Sequence, residues 1–204
     1  MQNKQPITIN NQTIYIPDYF DRVQSMPDDP KDSVAYMVQS EYAACLALLY
    51  STDESASLPR TKGALINGVR QFLAENQGLI QVEAEKDYLY TIVKTLKEPG
   101  GVQYVLTYQR FYPEFILNVQ AFFEESGATG LRDNAVYGKC RSQGIVGTDE
   151  DPFAGWMRDP YDEGWKKGEL MNMSELEEFD QYFPGFPLTL CREFVGVLID
   201  EKEL

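Results

Sequence analysis

The sequence contains no histidine. Histidine is the commonest general base near neutral pH and the commonest metal ligand in proteins. Its absence excludes catalytic triads built on an imidazole and zinc sites built on histidine. Chemistry by carboxylates, lysine or tyrosine stays open, but in a chain with 32 acidic residues a pair of carboxylates is not a signal of glycosidase activity. We therefore predict no catalytic residue, no cofactor and no metal site.

Cysteine is scarce: Cys45, Cys140 and Cys191 are the only three, and they lie far apart in the chain. There is no CxxC pair, so neither a thiolate metal site nor a redox-active dithiol is indicated. Cys45 and Cys191 fall within apolar stretches, where cysteine behaves as a small core residue. We expect these two to be buried, reduced and slow to react, whereas Cys140 is flanked by Lys139 and Arg141.

The chain also lacks long hydrophobic runs, and no stretch approaches the roughly 18 apolar residues of a membrane helix. Its first residues do not form the apolar segment of a secretory signal, so we expect a cytoplasmic protein. Basic residues are few, with 18 lysines and arginines against 32 acidic residues and a net charge of −14. Such a surface repels nucleic acid and anionic membranes and favours a basic protein partner. Alternatively, the charge only maintains solubility.

What the chain has is enough apolar material for a core. Its 204 residues are 43% hydrophobic and 13% aromatic, which suits one folded domain over residues 1–204. Alternating or β-branched runs predict a hairpin over 7–16 and strands over 79–82, 88–96, 102–108 and 115–123. Residues 33–50 are ambiguous between strand and buried helix, because periodicity does not separate the two. The tyrosine and valine content favours two strands, 34–39 and 43–50.

Helices are indicated in three places. The spacing of Leu65, Val69, Phe72 and Leu73 predicts a helix over 61–77, with Thr61 at its start and Gly78 past its end. Residues 130–142 look helical, with Leu131, Ala135 and Val136 facing inward. Ser174 and Glu177 are spaced as a capping box that opens a short helix. Pro187 begins a last helix, whose inward stripe is Cys191, Phe194, Val195 and Leu198.

Hairpins dominate this order of elements, and no train of alternating strands and helices is present. The predicted fold class is therefore α+β, an antiparallel β-sheet flanked by helices in an α/β/α sandwich. The turn Glu98-Pro99-Gly100-Gly101, with proline and glycine at the inner positions of a type II turn, is predicted to join two central strands.

Segment 144–184 is the most unusual region and reads as an acidic, aromatic-rich extension of the same domain. It carries 11 acidic and 3 basic residues, a net charge of −8, and both tryptophans of the chain. Aromatic residues framed by charge are typical of an interface anchor with a polar rim. The partner-binding residues predicted on this basis are Trp156, Asp159, Tyr161, Asp162, Glu163 and Trp165. Alternatively, the aromatic residues fix a long loop to the core and the acids only face water.

Three stretches carry a resemblance to a known fold: ITINNQTIYIP, ALINGVRQFLAENQGLIQV and YLYTIVKTLKEPGGVQYVLTYQ. Together they resemble the PsbP and DcrB-like proteins over residues 7–143, an architectural likeness without a diagnostic motif. The resemblance implies an antiparallel sheet flanked by helices and a binding role, as in adaptors of bacterial secretion systems. The segment from 144 onward departs from that family and is similar to proteins of anaerobic gut Firmicutes.

These observations favour a non-catalytic protein-binding module. Its forms would be an adaptor or chaperone for a secreted protein, or an immunity protein against a basic toxin. Two alternatives stay open: an enzyme that uses carboxylate or tyrosine chemistry, and a structural subunit that forms homo-oligomers through an exposed sheet face.

Overall fold

The structure, a computed structural model, describes residues 3–53, 55 and 57–200. The strands of its central sheet are β3 Asp21–Val23, β4 Val34–Gln39, β5 Ala43–Thr52, β6 Gln77–Ala84, β7 Tyr88–Leu96, β8 Val102–Phe111 and β9 Ile116–Glu125. They form a seven-stranded, fully antiparallel sheet in the order β3-β4-β5-β9-β8-β7-β6. The predicted α+β fold class, an antiparallel sheet flanked by helices, is confirmed. Residues 34–39 and 43–50 are strands, which confirms the two-strand prediction over a buried helix.

Two smaller antiparallel pairs accompany the large sheet. The first is the predicted hairpin, β1 Lys4–Ile9 and β2 Gln12–Pro17. Its two turn residues, Asn10 and Asn11, both have positive φ, of 48° and 62°, which asparagine tolerates better than most residues. The second pair is β10 Met157–Arg158 with β11 Met171–Asn172.

Three α-helices are present in the described residues: α1 Lys62–Phe72, α2 Leu131–Ser142 and α3 Pro187–Ile199. The stripe predicted for the last helix is confirmed, because Cys191, Phe194, Val195 and Leu198 are all buried on α3. The stripe predicted for α2 is wrong at two of its three positions. Leu131 and Ala135 are exposed, Val136 is buried as predicted, and Arg132 and Cys140 also face inward.

Helix α1 is shorter than predicted. It ends at Phe72, and Leu73 already has an extended backbone. Gly78 is therefore not a helix terminator. It belongs to β6, where a side chain would collide with the carbonyl oxygen of Glu169. The predicted apolar stripe is wrong at Phe72, which is 85% exposed although Leu65 is buried.

Two details of local structure also differ from expectation. The positive φ of the β7–β8 turn lies at Gly101 and not at Gly100, so the turn is not the predicted type II arrangement. The capping box lies two residues earlier than predicted, because Asn172 and Glu175 form it. It opens two short 3-10 helices, Met173–Glu175 and Glu177–Tyr182, in place of one helix.

The two faces of the seven-stranded sheet are covered differently. Helix α3 and the β1–β2 hairpin lie on one face, which we call the covered face, and form the main core with it. Helix α1 packs on the other face only near β6 and β7. We call the rest of that second face, over β4, β5, β9 and β8, the open face.

Candidate functional site

Trp156, predicted to anchor a partner, is a core residue of the segment that carries it. Its side chain is 7% exposed and forms a small core with Val136, Cys140, Val146 and Phe179. This core holds α2 against the 3-10 helices. The indole is therefore used inside the chain.

Asp159 and Trp165 both contact Arg70 of α1. The carboxylate of Asp159, which is buried, accepts a hydrogen bond from the Arg70 guanidinium at 2.5 Å. The Trp165 ring, half-buried, lies under the same guanidinium, 4.5 Å from ring centroid to Cζ. Two predicted interface residues thus attach the acidic segment to a helix of the same chain.

Tyr161 closes the edge of the sheet at β6. Its hydroxyl accepts a hydrogen bond from the Val82 N–H at 2.6 Å and donates one to the Val82 carbonyl at 3.3 Å. The Glu169 N–H donates to the carbonyl of Gln77 further along the same edge. An uncovered edge strand is a template for unwanted pairing. The segment therefore protects β6 and leaves Asp162 and Glu163 as the exposed members of the predicted set.

Five of the six predicted residues thus lie on one loop that runs along α1 and β6. Trp156 lies apart from them, in its own small core. The buried residues of the predicted set, Trp156 and Asp159, support the alternative interpretation that these side chains fix a long loop to the core. Nothing observed tests a partner at Asp162, Glu163 or Trp165, so docking on that segment stays a prediction.

A buried polar cluster joins the sheet to the acidic segment. The Glu175 carboxylate accepts hydrogen bonds from the Lys94 ammonium at 3.0 Å and from the Tyr104 hydroxyl at 2.9 Å. It also accepts the Asn172 N–H of the capping box. Burial and the nearby Glu175 charge raise the pKa of Tyr104 well above its ordinary value. All three ionisable side chains are buried, so the cluster is not accessible to a substrate.

A second set of charges surrounds Asp180. Its carboxylate pairs with Arg192 of α3 at 3.0 Å and with Arg132 of α2 at 2.8 Å. Arg132 also donates to the Ser174 carbonyl, and Arg192 to the Glu175 carbonyl. Each guanidinium therefore has internal acceptors and holds the last helices together.

The open face carries an apolar row that sequence analysis missed. Strand register places six apolar residues as successive neighbours across six strands, on the same side of the sheet. In spatial order they are Met37, Leu46, Phe122, Val105, Val93 and Leu79. At the usual strand spacing this apolar row is about 24 Å long. Met37 is 39% and Leu46 37% exposed, whereas Leu79 lies under α1.

The open face is also nearly free of charge. On β4, β5, β9, β8 and β7, Glu124 is the only charged residue that points to this side, and it pairs with Lys97 at 2.6 Å. A sheet face in contact with water is normally polar. Charged residues make up 25% of the chain, so their scarcity here is a local feature. Its other polar side chains, such as Gln39, Gln103 and Gln120, are uncharged. The exposed apolar side chains of the row make this face a candidate interaction surface.

The apolar row runs into a groove beside α1 with a volume of about 420 Å³. Residues from α1 and the loop before it form one wall, and β7 and β8 form the floor. The lining residues are Leu58, Pro59, Leu65, Gly68, Val69, Phe72, Leu73, Gln77, Thr91, Val93, Val105 and Thr107. None of them is titratable. Phe72, 85% exposed, stands at this groove as its largest exposed side chain.

One signal in the sequence could have indicated this surface. Residues 43–50 are apolar at both alternating positions, which is expected only for a strand covered on both faces. With one long helix and one hairpin assigned to the covered face, α1 alone is left to cover the other. Its 11 residues do not span seven strands.

Among the residues that the structure describes, no group of three or more cysteine, aspartate or glutamate side chains is arranged to hold a metal ion. Over the same part of the chain, no helix has the length and hydrophobicity needed to cross a bilayer.

Comparison with known proteins gives a similarity of architecture alone. No family model matches the chain, and no curated protein matches it. The Ran-binding protein Mog1p of Saccharomyces cerevisiae aligns with a TM-score of 0.45 and 8% identity over 70% of this chain and 84% of its own. A point mutant of protein Mog1 aligns with a TM-score of 0.44 and 8% identity, over 69% and 84%. The resemblance to PsbP and DcrB-like proteins is not tested by these alignments and stays a prediction.

Proposed function

We propose that this chain is a non-catalytic, cytoplasmic protein-binding module, an adaptor, chaperone or immunity protein, that docks a basic partner on its open face. The observation that carries the proposal is the apolar row, which ends in the groove beside Phe72. A partner segment with a continuous apolar stripe would bury this row, as an amphipathic helix does in a groove.

The chemistry of the groove supports a binding role. Its lining offers neither a base, an acid nor a nucleophilic cysteine or lysine. The buried cluster at Glu175 and the partly buried ion pairs of Asp180 have internal partners. Apolar contact is what the surface provides.

Charge selects the kind of partner. At a net charge of −14, two copies of this chain repel each other, and no basic residue on the strands of the open face points outward to counter that repulsion. A partner with basic residues around its apolar stripe is attracted instead, and its association is steered by the whole acidic surface. We therefore favour a basic protein over a second copy of the chain.

The test uses two synthetic amphipathic helical peptides of about 16 residues, the length that spans roughly 24 Å. Both carry the same leucine stripe, and their polar faces carry lysine in one and glutamate in the other. Binding is measured by fluorescence anisotropy against the wild type and three variants: Leu46→Gln, Phe122→Thr and the matched control Gln120→Thr, which changes an exposed polar residue on the same face.

The lysine peptide should bind, and the glutamate peptide should bind at least roughly tenfold more weakly. Leu46→Gln and Phe122→Thr should each weaken the lysine peptide by about tenfold or more, since buried apolar anchors dominate interfaces. Gln120→Thr should change its Kd less than about twofold. Unchanged binding in both anchor variants would reject the open face. Light scattering that shows a dimer lost in the same variants would support the homo-oligomer instead.

A further inference from the structure

A second exposed apolar surface lies on the loop that follows α2. Ile145 and Phe153 are 55% and 60% exposed, although both are large apolar residues. We call this pair the Phe153 patch. It involves none of the residues of the apolar row or of the groove beside α1.

The Phe153 ring is the outermost of three aromatic rings in contact. Its centroid lies 5.5 Å from that of Tyr137, and the Tyr137 ring meets Trp156 edge to face at 5.2 Å. Trp156 belongs to the buried core of this region. The packed rings beneath Phe153 restrict its side chain. The Phe153 side chain therefore loses little conformational entropy when a partner covers it.

The loop around the Phe153 patch is held by α2. The Arg141 guanidinium donates to the carbonyls of Val146 and Thr148, and the Tyr137 hydroxyl donates to the carbonyl of Pro152 at 2.8 Å. These contacts fix the loop between Ile145 and Phe153. A fixed aromatic side chain on the surface has the properties of an interface anchor.

Three consecutive acids lie on the loop between Ile145 and Phe153. Asp149, Glu150 and Asp151 are all exposed, and within the described residues none of them forms an ion pair. A basic residue of a partner would meet carboxylates that have no competing ion pair. The combination of an apolar anchor and unpaired acids specifies a partner that carries both an apolar side chain and lysine or arginine beside it.

We propose that the Phe153 patch is a second protein-docking surface, which takes a basic segment with an apolar side chain placed on Phe153 and lysine or arginine residues facing Asp149 and Glu150. It is distinct from the open face and does not depend on docking there. The acids predicted from sequence to rim an interface, Asp162 and Glu163, belong to another loop.

The probe is a flexible 10-residue peptide with a central leucine–tryptophan pair between four lysines, too short and too irregular to span the apolar row. Its glutamate counterpart serves as the charge control. Kd values are measured for the wild type, for Phe153→Ser, for the double variant Asp149→Asn/Glu150→Gln, and for Leu46→Gln and Phe122→Thr. The matched control is Asp28→Asn/Glu114→Gln, which removes the same charge from two exposed acids elsewhere. Thermal melts confirm that each variant is folded.

We expect Phe153→Ser to weaken the lysine peptide by about tenfold and Asp149→Asn/Glu150→Gln by about threefold or more. The control pair should change the Kd by less than about twofold, because distant charges are screened. The proposal is overturned if Phe153→Ser binds like the wild type, or if the two double variants behave alike. It is also overturned if this peptide depends on Leu46 and Phe122, a result that would leave the open face supported.

Discussion

The two faces of the seven-stranded sheet are built from similar residues but end in different environments. On the covered face, α3 and the β1–β2 hairpin bury apolar side chains such as Leu106 and Phe123 completely. On the open face, Leu46 and Phe122 are equally apolar in kind, yet α1 leaves them in contact with water. The difference lies in how many elements the chain supplies to each side.

The covered face and the open face also differ in how they accommodate charged residues. The covered face tolerates Lys94 because Glu175 reaches it from the acidic segment, where the pair is closed off from solvent. Charges are scarce on the open face although water could solvate them there, which is unusual for an exposed sheet face.

The largest difference in stability is expected between substitutions at Phe123 and at Phe122, which are neighbours on β9 and point to opposite faces. Phe123→Ala removes a fully buried ring beside Phe194 and should lower the free energy of unfolding by about 4 kcal/mol. Phe122→Ala should lower it by about 1 kcal/mol or less, because the ring is partly exposed already. Urea denaturation measures both, and equal losses would mean that the open face is also core.

The next largest difference in the free energy of unfolding is expected between the loss of a buried ion pair and the loss of an exposed one. Glu175→Ala leaves Lys94 buried without its counter-charge and Tyr104 without its acceptor, so we expect a loss of about 3 kcal/mol. Glu124→Ala removes the Lys97 pair on the open face, where both side chains are 40% exposed, and should cost less than about 1 kcal/mol. The same urea measurement applies, and a Glu175 variant as stable as wild type would contradict the assigned role of the cluster.

A smaller effect is expected at the edge of the sheet. Tyr161→Phe removes one hydroxyl that serves both the N–H and the carbonyl of Val82, and should cost about 1 kcal/mol. Amide hydrogen exchange is the sharper measurement, since the Val82 N–H loses its acceptor while Leu89 in the neighbouring strand does not. Faster exchange at Val82 alone is expected, and unchanged exchange would show that the segment does not protect β6.

The order and type of the elements could be predicted because they depend on local patterns. The alternation of Val102 to Tyr108 and the stripe of Cys191 to Leu198 each reflect burial against one neighbouring layer. The end of α1 could not be predicted in the same way. Gly78 looks like a helix terminator, but the close approach of Glu169, 91 residues later in the chain, places it in β6.

The candidate sites were harder to predict, because exposure depends on which layers cover a residue. Trp156 and Asp159 looked like interface residues in sequence, and tertiary contacts with Cys140 and Arg70 bury them. Phe72 looked like core and is exposed, because it lies at the groove beside α1, which no described part of the chain fills. Burial of the three cysteines was predicted correctly for Cys45 and Cys191, and Cys140 is buried as well.

Cys45 and Leu46 are adjacent on β5 and point to opposite faces, so their positions should differ in thiol reactivity. Burial raises the pKa of the Cys45 thiol to about 12, so almost no thiolate is present near pH 8. In the wild type, a thiol reagent should therefore react with all three buried cysteines only as the protein unfolds. Leu46→Cys places a thiol on the open face, where an ordinary pKa of about 8.5 gives a substantial fraction of thiolate.

The added thiol of Leu46→Cys should react at least about 1,000-fold faster than Cys45, as followed by mass spectrometry under native conditions. Denaturant provides the control, since all four thiols should react alike once the chain is unfolded. Adding the lysine-faced amphipathic peptide should slow the reaction of the new thiol if the peptide covers the open face. A thiol at position 46 that reacts as slowly as Cys45 would show that both faces of the sheet are closed, and the contrast between them would not stand.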